Sequence, residues 1–135
     1  YLEARRRIVM QGYAAFRRHG TWFGVPISRA MYRSLAAHEA AHAVAACNFE
    51  VPVPTIQAKE YVAYVTMFAT MDATLRERAL KSVPGEGFAS EERITPLLYM
   101  FDPMRFGAEA YRHYRKLPDG QAFLHAILEG RALTD

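Results

Sequence analysis

Residues 29–47 carry the clearest helical pattern in the chain. This stretch contains no glycine or proline and is rich in alanine, the residue with the highest helix propensity. Ser28 stands directly before it. Serine is a preferred N-cap residue because its side-chain oxygen accepts a hydrogen bond from a backbone N–H of the first turn. The pattern therefore predicts a helix over residues 29–47 that begins at a Ser28 cap.

Shorter hydrophobic segments follow this helix. Residues 51–54 read Val-Pro-Val-Pro and cannot form a helix interior. Residues 55–58 and 61–68 are rich in β-branched and aromatic residues, which predicts two short strands. Capping and proline signals predict further helices, which lie over residues 71–82, after Ser90, after Asp102-Pro103, and from Asp119 to Gly130. These elements together predict a mainly α fold with a small β element, of the α+β class.

The N-terminal quarter differs from the rest of the chain in charge. Residues 1–33 contain seven arginines and one acid, whereas residues 34–135 contain ten basic and thirteen acidic residues. We predict a basic N-terminal helix and then a linker at residues 19–26, where two glycines and a proline break the pattern. The predicted organisation is thus a helix and linker in residues 1–27 and one domain in residues 28–135. No nucleic-acid recognition motif accompanies the arginines, so we expect no nucleic-acid binding.

Length and composition restrict the possible classes of protein. A chain of 135 residues is long enough for one domain with a modest core. Its single cysteine, Cys47, excludes an internal disulfide and a multi-cysteine metal site. The longest uncharged stretch, Tyr61 to Met71, is shorter than the roughly 20 apolar residues of a membrane-spanning helix. The sequence also has no Gly-x-x-x-x-Gly-Lys-Ser/Thr loop, so this chain holds no ATPase module.

The motif that indicates chemistry is His38-Glu39-Ala40-Ala41-His42, inside the predicted helix. Two histidines four positions apart lie on one helix face, one turn apart, and together can bind a zinc ion. Glu39 can then act as general base toward a water molecule that zinc polarises, as in the HExxH metallopeptidases. We therefore predict His38 and His42 as Zn²⁺ ligands and Glu39 as the catalytic base. The alternative is a pair of partly buried histidines that bind no metal.

The wider sequence resembles the FtsH-type zinc proteases of bacterial and organellar membranes. The residues that carry this resemblance are Leu35 to Ala46 for the zinc helix, and then Val51 to Ile56, Tyr64 to Phe68, Glu92 to Thr95 and, weakly, Gly107-Ala108-Glu109. The resemblance spans about residues 28–130. It implies an FtsH-like helical peptidase fold, zinc as cofactor, and a peptide or unfolded protein as substrate.

A catalytic zinc site needs a third protein ligand. A close-following histidine of the metzincin type is excluded because position 48 is Asn48. In the FtsH-type family the third ligand is an aspartate at the start of a later helix, and Asp119 occupies the matching position. The resemblance therefore implies Asp119 as third ligand, while an ordinary N-cap is the alternative role. Glu109 is the second candidate, and we expect His113 and His125 to be surface or half-buried helix residues.

Two functions remain open from the sequence. The first is a zinc metallopeptidase that hydrolyses peptide bonds. The second is a catalytically retired relative that serves as an accessory subunit of a larger complex, for example one in a mitochondrial or other organellar membrane. The altered surroundings of Asp119 and the missing ATPase motor favour the second function. On either view we expect an intracellular protein, organellar such as mitochondrial, with the bacterial cytoplasm as the alternative.

Overall fold

The computed structural model describes residues 7–134, and in this range the chain is mostly helical with one two-stranded sheet. The elements, in chain order, are α1 (Tyr13–Arg17), β1 (Thr21–Trp22), β2 (Val25–Pro26), α2 (Arg29–Ala46), α3 (Ile56–Thr70), α4 (Ala73–Ser82), a 3₁₀ turn (Glu91–Arg93), α5 (Pro96–Phe101), α6 (Pro103–Lys116) and α7 (Gly120–Leu128). The predicted class, mainly α with a small β element, is confirmed. None of the helices within residues 7–134 combines the length and the apolarity needed to cross a bilayer.

Helix α2 begins and ends close to where the sequence predicts. The Ser28 hydroxyl accepts a hydrogen bond from the backbone N–H of Met31 at 3.2 Å, so the predicted cap is confirmed. The helix then packs along α3. His42 lies beside Glu60 and His38 lies beside Tyr64, which shows that the two helices run antiparallel.

Helix α3 replaces the two predicted strands, and that prediction was wrong. Residues 56–70 form one continuous helix whose Thr55 cap accepts a hydrogen bond from the N–H of Ala58. The helix is buried around most of its circumference because α2 packs on it from one side and α6 from another. A helix covered on all sides carries apolar residues without a 3.6-residue period, and such a run is easily mistaken for a buried strand.

The sheet lies instead in the segment predicted as a linker. Strands β1 and β2 pair antiparallel, with Trp22 opposite Val25, and the turn between them is Phe23-Gly24. Both turn residues have positive φ, 50° and 64°, as a two-residue hairpin of the favoured twist requires. Phe23 is fully buried in the same core as α2 and α3. Helix α1 covers only part of the predicted basic helix, and residues 1–6 of that prediction lie outside the described range.

Two of the later helices, α6 and α7, begin at the predicted capping residues, whereas α4 is capped by Asp72 and not by Thr70, the cap that the sequence suggests. Asp102 caps α6 through the N–H of Arg105, with Pro103 in the first turn, and Asp119 caps α7 through the N–H of Ala122. The helix predicted after Ser90 shortens to a 3₁₀ turn, and α5 starts only at Pro96. Proline disfavours helical geometry in the residue before it, so the chain must restart the helix at the proline itself.

Candidate metal centre

The two histidines of α2 lie on one helix face, as their spacing predicts, and this face is turned toward α3. His38 is buried and His42 is partly buried, and their Nε2 atoms lie 3.1 Å apart. The two rings meet edge to face with their centroids 4.7 Å apart. The four-residue spacing therefore places two imidazole nitrogens side by side at one point of the α2–α3 interface.

Glu60 of α3 is the third member of this group. Its Oε1 lies 3.4 Å from Nε2 of His42, and its Oε2 lies 3.5 Å from Nε2 of His38. One ligand atom from each of the three side chains can be chosen so that all lie within 4.8 Å of one another. Within residues 7–134, this is the one group of histidine, cysteine and acidic side chains that is close enough to hold a metal ion.

The spacing of these atoms suits a small divalent ion. Zinc binds imidazole nitrogen and carboxylate oxygen at about 2.0–2.1 Å, so two ligands of a tetrahedral site lie about 3.3–3.4 Å apart. The two Nε2 atoms are 3.1 Å apart, and different oxygens of Glu60 lie 3.4 Å and 3.5 Å from them. One donor atom from each side chain can be chosen within 4.8 Å of the others, so the three side chains would have to move closer together around a zinc ion.

The electrostatics of the group also favour a cation. Burial alone would raise the pKa of Glu60, but its contacts with His38 and His42 outweigh burial and lower the pKa to about 2. Glu60 is therefore a carboxylate at neutral pH although its side chain is only 13% exposed. Its Oε2 and the Nδ1 of His38 are both buried without a hydrogen-bond partner in residues 7–134. Buried charges and polar atoms are costly unless they are paired, and an ion between these side chains would pair the carboxylate.

Glu39 lies near the same site without belonging to the ligand group. It follows His38 directly on α2 and is half-buried. Burial raises the pKa values of Tyr64 and Tyr99, and the negative charges of Glu60 and Glu39 raise them further. In the HExxH pattern the residue at this position is the general base.

The aromatic ring of Tyr64 packs against the ring of His38. The ring centroids of Tyr64 and His38 lie 4.4 Å apart, and those of Tyr64 and Phe106 of α6 lie 6.3 Å apart. Helix α6 can approach this closely because residue 107 is glycine. A Cβ at Gly107 would lie 2.6 Å from the Tyr64 ring, closer than carbon atoms can approach. The sequence alone does not indicate why a glycine stands inside α6.

Asp119 and Glu109, the two acids considered as third ligand, have other partners in the structure. Asp119 is exposed, and its Oδ1 caps α7 at 2.9 Å from the N–H of Ala122, which is the alternative role stated above. Glu109 accepts hydrogen bonds from the backbone N–H of Gly87 and from Arg112, both at 3.0 Å, and so anchors the loop before the 3₁₀ turn. Neither acid belongs to the group formed by the two histidines.

The two remaining histidines considered as ligands also lie apart from this group. His113 is buried, and its Nδ1 lies 2.7 Å from the Tyr61 hydroxyl. His125 is exposed on α7. Both are helix residues, as expected, although His113 is more deeply buried than the sequence suggests.

Sequence reasoning missed Glu60 because it divided α3 into two strands and left this residue between them. A signal was nevertheless present. Glu60 immediately precedes the longest uncharged stretch of the chain. Glutamate is rarely buried unless it is paired. A helical interpretation of residues 56–70 would have identified an acid on a buried helix that needs a partner.

Comparison with known proteins corrects the family suggested by the zinc helix. The chain matches DUF6639, described as a family of unknown function, over residues 1–135. No curated protein and no solved structure matches it. The resemblance to FtsH-type proteases was therefore wrong. It depended on short motifs, and the segment Tyr64 to Phe68, taken as a strand of that family, is part of helix α3. The chain belongs to DUF6639, a family of unknown function.

Proposed function

We propose that this protein is a zinc-dependent peptidase in which His38, His42 and Glu60 bind the metal and Glu39 is the general base. The observation that carries the proposal is the convergence of Glu60, from a second helix, on the two histidines of the HExxH motif. Two histidines and one glutamate form a ligand set that zinc peptidases use, with one position left for water or substrate.

Each residue of the proposed site has a separate task. Zinc, when bound, polarises the scissile carbonyl and makes water a stronger nucleophile at neutral pH. Glu39 takes a proton from the attacking water as the new C–O bond forms. It then delivers that proton to the amide nitrogen as the C–N bond breaks, so the products are a carboxylic acid and an amine. Glu60 and the two imidazoles keep their positions through both steps.

The substrate that fits this proposal is a peptide or an unfolded segment of a protein. A scissile bond must approach a site whose ligand side chains are only 8–14% exposed, and an extended chain can do so more readily than a folded surface. The sequence contains no phosphate-binding loop that would indicate an unfolding motor in this chain.

The test combines metal content with cleavage. Protein stripped by a chelator and reloaded with zinc should bind about one zinc ion per chain and cleave an unfolded peptide mixture. Glu39→Gln should retain the metal and lose at least about a hundredfold in kcat, as expected for loss of a general base. Glu77→Gln, the same change at an exposed position of α4, is the matched control and should leave both properties unchanged. Zinc-loaded protein that cleaves none of these peptides would refute the proposed activity.

One observation favours a second candidate, an accessory subunit that binds a partner protein. Helix α5 exposes three large apolar side chains, those of Leu97, Met100 and Phe101, with exposures of 60%, 69% and 82%. Exposed apolar patches of this kind often mark protein–protein interfaces. This candidate predicts co-purification with a partner that Phe101→Ser abolishes, together with no functional effect of Glu39→Gln.

A further inference from the structure

An open depression lies between α1 and the start of α2, and basic side chains line it. Its volume is about 550 Å³, which is within the range of about 300–1,000 Å³ typical of small-molecule sites. The lining residues are Tyr13, Ala14, Arg17, Arg18 and Arg29, so three of the five are arginines and none is acidic. We call this depression the arginine pocket. It belongs to the N-terminal quarter of the chain, where seven arginines in residues 1–33 are accompanied by a single acid.

Arg29 is held in the arginine pocket by stacking on an aromatic ring. Its guanidinium carbon lies 4.5 Å from the centroid of the Tyr13 ring. The Tyr13 ring in turn packs on Tyr32 of α2, with the two centroids 5.6 Å apart. A planar guanidinium group that stacks on an aromatic ring still presents its N–H donors at its edge. The position of Arg29 is therefore fixed without the use of its hydrogen-bonding groups.

The three arginines of the pocket carry charge and donors that the rest of the described chain does not use. Within residues 7–134, no carboxylate or carbonyl oxygen pairs with the guanidinium groups of Arg17, Arg18 or Arg29. Arg112 shows the contrast, since it donates to the Glu109 carboxylate and to two backbone carbonyls. Each guanidinium group has five N–H donors and stays charged at any physiological pH. The arginine pocket thus has the chemistry of an anion-binding site.

A phosphate group matches three arginines better than a carboxylate does. A carboxylate has two oxygens, and a single guanidinium fork can occupy both of them. A phosphate monoester has three terminal oxygens and a charge of about −1.5 to −2 at neutral pH, so it can accept hydrogen bonds from several arginines at once. We propose that the arginine pocket binds a phosphate group, which is carried either by a soluble small molecule or by a lipid headgroup.

The arginine pocket is separate from the candidate metal centre. Arg29 and His38 are nine positions apart on α2, which is about two and a half turns, so they lie on opposite sides of this helix. The phosphate site therefore does not rest on the proposed function, and each can fail without the other.

The test measures binding of inorganic phosphate by isothermal titration calorimetry, in the presence of an uncharged chelator so that no metal-bound phosphate contributes. We expect the wild type to bind phosphate and Arg29→Gln to weaken this binding at least about tenfold, through loss of charge-assisted hydrogen bonds. Arg17→Gln leaves the stack on Tyr13 intact and should weaken binding to a similar extent. Arg78→Gln makes the same change of charge at an exposed position of α4 and should retain wild-type affinity. Circular dichroism checks that every variant is folded.

Vesicles distinguish the two sources of phosphate. Phosphatidic acid has a phosphate monoester as its headgroup, whereas phosphatidylglycerol has a diester, and the two are compared at equal surface charge by co-sedimentation. Preferential binding to phosphatidic acid that Arg29→Gln abolishes assigns the pocket to a lipid headgroup. Binding of inorganic phosphate without this preference assigns it to a soluble molecule.

Three results would overturn the phosphate site. The first is a wild type that binds neither inorganic phosphate nor phosphatidic acid in preference to phosphatidylglycerol. The second is binding by both Arg29→Gln and Arg17→Gln within twofold of the wild type. The third is a loss in Arg78→Gln as large as that in the pocket variants, because net charge alone would then account for the binding.

Discussion

The identity of the proposed third metal ligand gives the sharpest prediction, because the two candidate acids, Glu60 within α3 and Asp119 at the N-cap of α7, have different roles in the structure. Glu60→Gln removes the carboxylate that lies 3.4–3.5 Å from both imidazole Nε2 atoms. Asp119→Ala removes the side chain that caps α7. We expect the first change to weaken zinc binding with little effect on the metal-free fold, and the second to do the reverse.

The expected magnitudes follow from general values. Structural zinc sites with four ligands bind with about 10–16 kcal/mol, so one ligand contributes roughly 3–4 kcal/mol, or two to three orders of magnitude in affinity. At a zinc concentration of 100 times the wild-type Kd, zinc stabilises the wild type by about 2.7 kcal/mol. A variant with a hundredfold weaker Kd would gain only about 0.4 kcal/mol. Loss of the Asp119 cap should cost about 0.5–2 kcal/mol with or without zinc.

The assay is thermal unfolding of stripped protein with and without zinc. For a chain of this size, about 2.7 kcal/mol corresponds to a rise in melting temperature of roughly 10 °C in the wild type and in Asp119→Ala. The rise should shrink to roughly 1–2 °C in Glu60→Gln. A full zinc-dependent rise in Glu60→Gln, together with its loss in Asp119→Ala, would refute the assignment of Glu60 and favour the ligand implied by the sequence resemblance.

Two further predictions concern residues outside the candidate metal-ligand group, Gly107 and His113. Gly107→Ala should lower the free energy of unfolding by up to about 2 kcal/mol. Overpacking against the Tyr64 ring costs about 1–3 kcal/mol, whereas the higher helix propensity of alanine returns about 1 kcal/mol. A higher free energy of unfolding in urea would contradict this prediction. Burial lowers the pKa of His113 below its ordinary 6.5, so the folded protein disfavours the proton that the unfolded chain accepts. Stability should therefore be complete above pH 6.5 and fall as the pH drops below it. Urea unfolding at pH 7.5 and 5.5 should show a smaller loss in His113→Gln than in the wild type, and equal losses would contradict the prediction.

Local signals predicted three helix caps correctly, but they predicted the buried middle of the chain poorly. Ser28, Asp102 and Asp119 each cap the helix that the sequence assigns to them, because a cap depends on a side chain and backbone N–H groups only a few residues away. The error over α3 has the opposite cause. Whether an apolar run of residues 55–68 is a strand or a buried helix depends on what packs around it, and α2 and α6 come from distant parts of the chain.

The hairpin of β1 and β2 shows the same limit on a smaller scale. Its turn contains Phe23 with a positive φ of 50°, a backbone conformation that residues other than glycine rarely adopt. The burial of the Phe23 ring in the core offsets that local strain, and no feature of the neighbouring residues indicates this burial. The glycines at positions 20 and 24 were correctly recognised as breaks in the helical pattern, but not as parts of a sheet.

The four-residue spacing of His38 and His42, with Glu39 between them, was determined by the sequence alone, since the pitch of a helix places both rings on one face wherever that helix lies. The candidate for the third ligand was decided by the tertiary structure. Glu60 meets the histidines only because α3 returns antiparallel along α2. Contacts within a helix follow from residue spacing, whereas contacts between helices depend on how buried surfaces fit together over the whole chain.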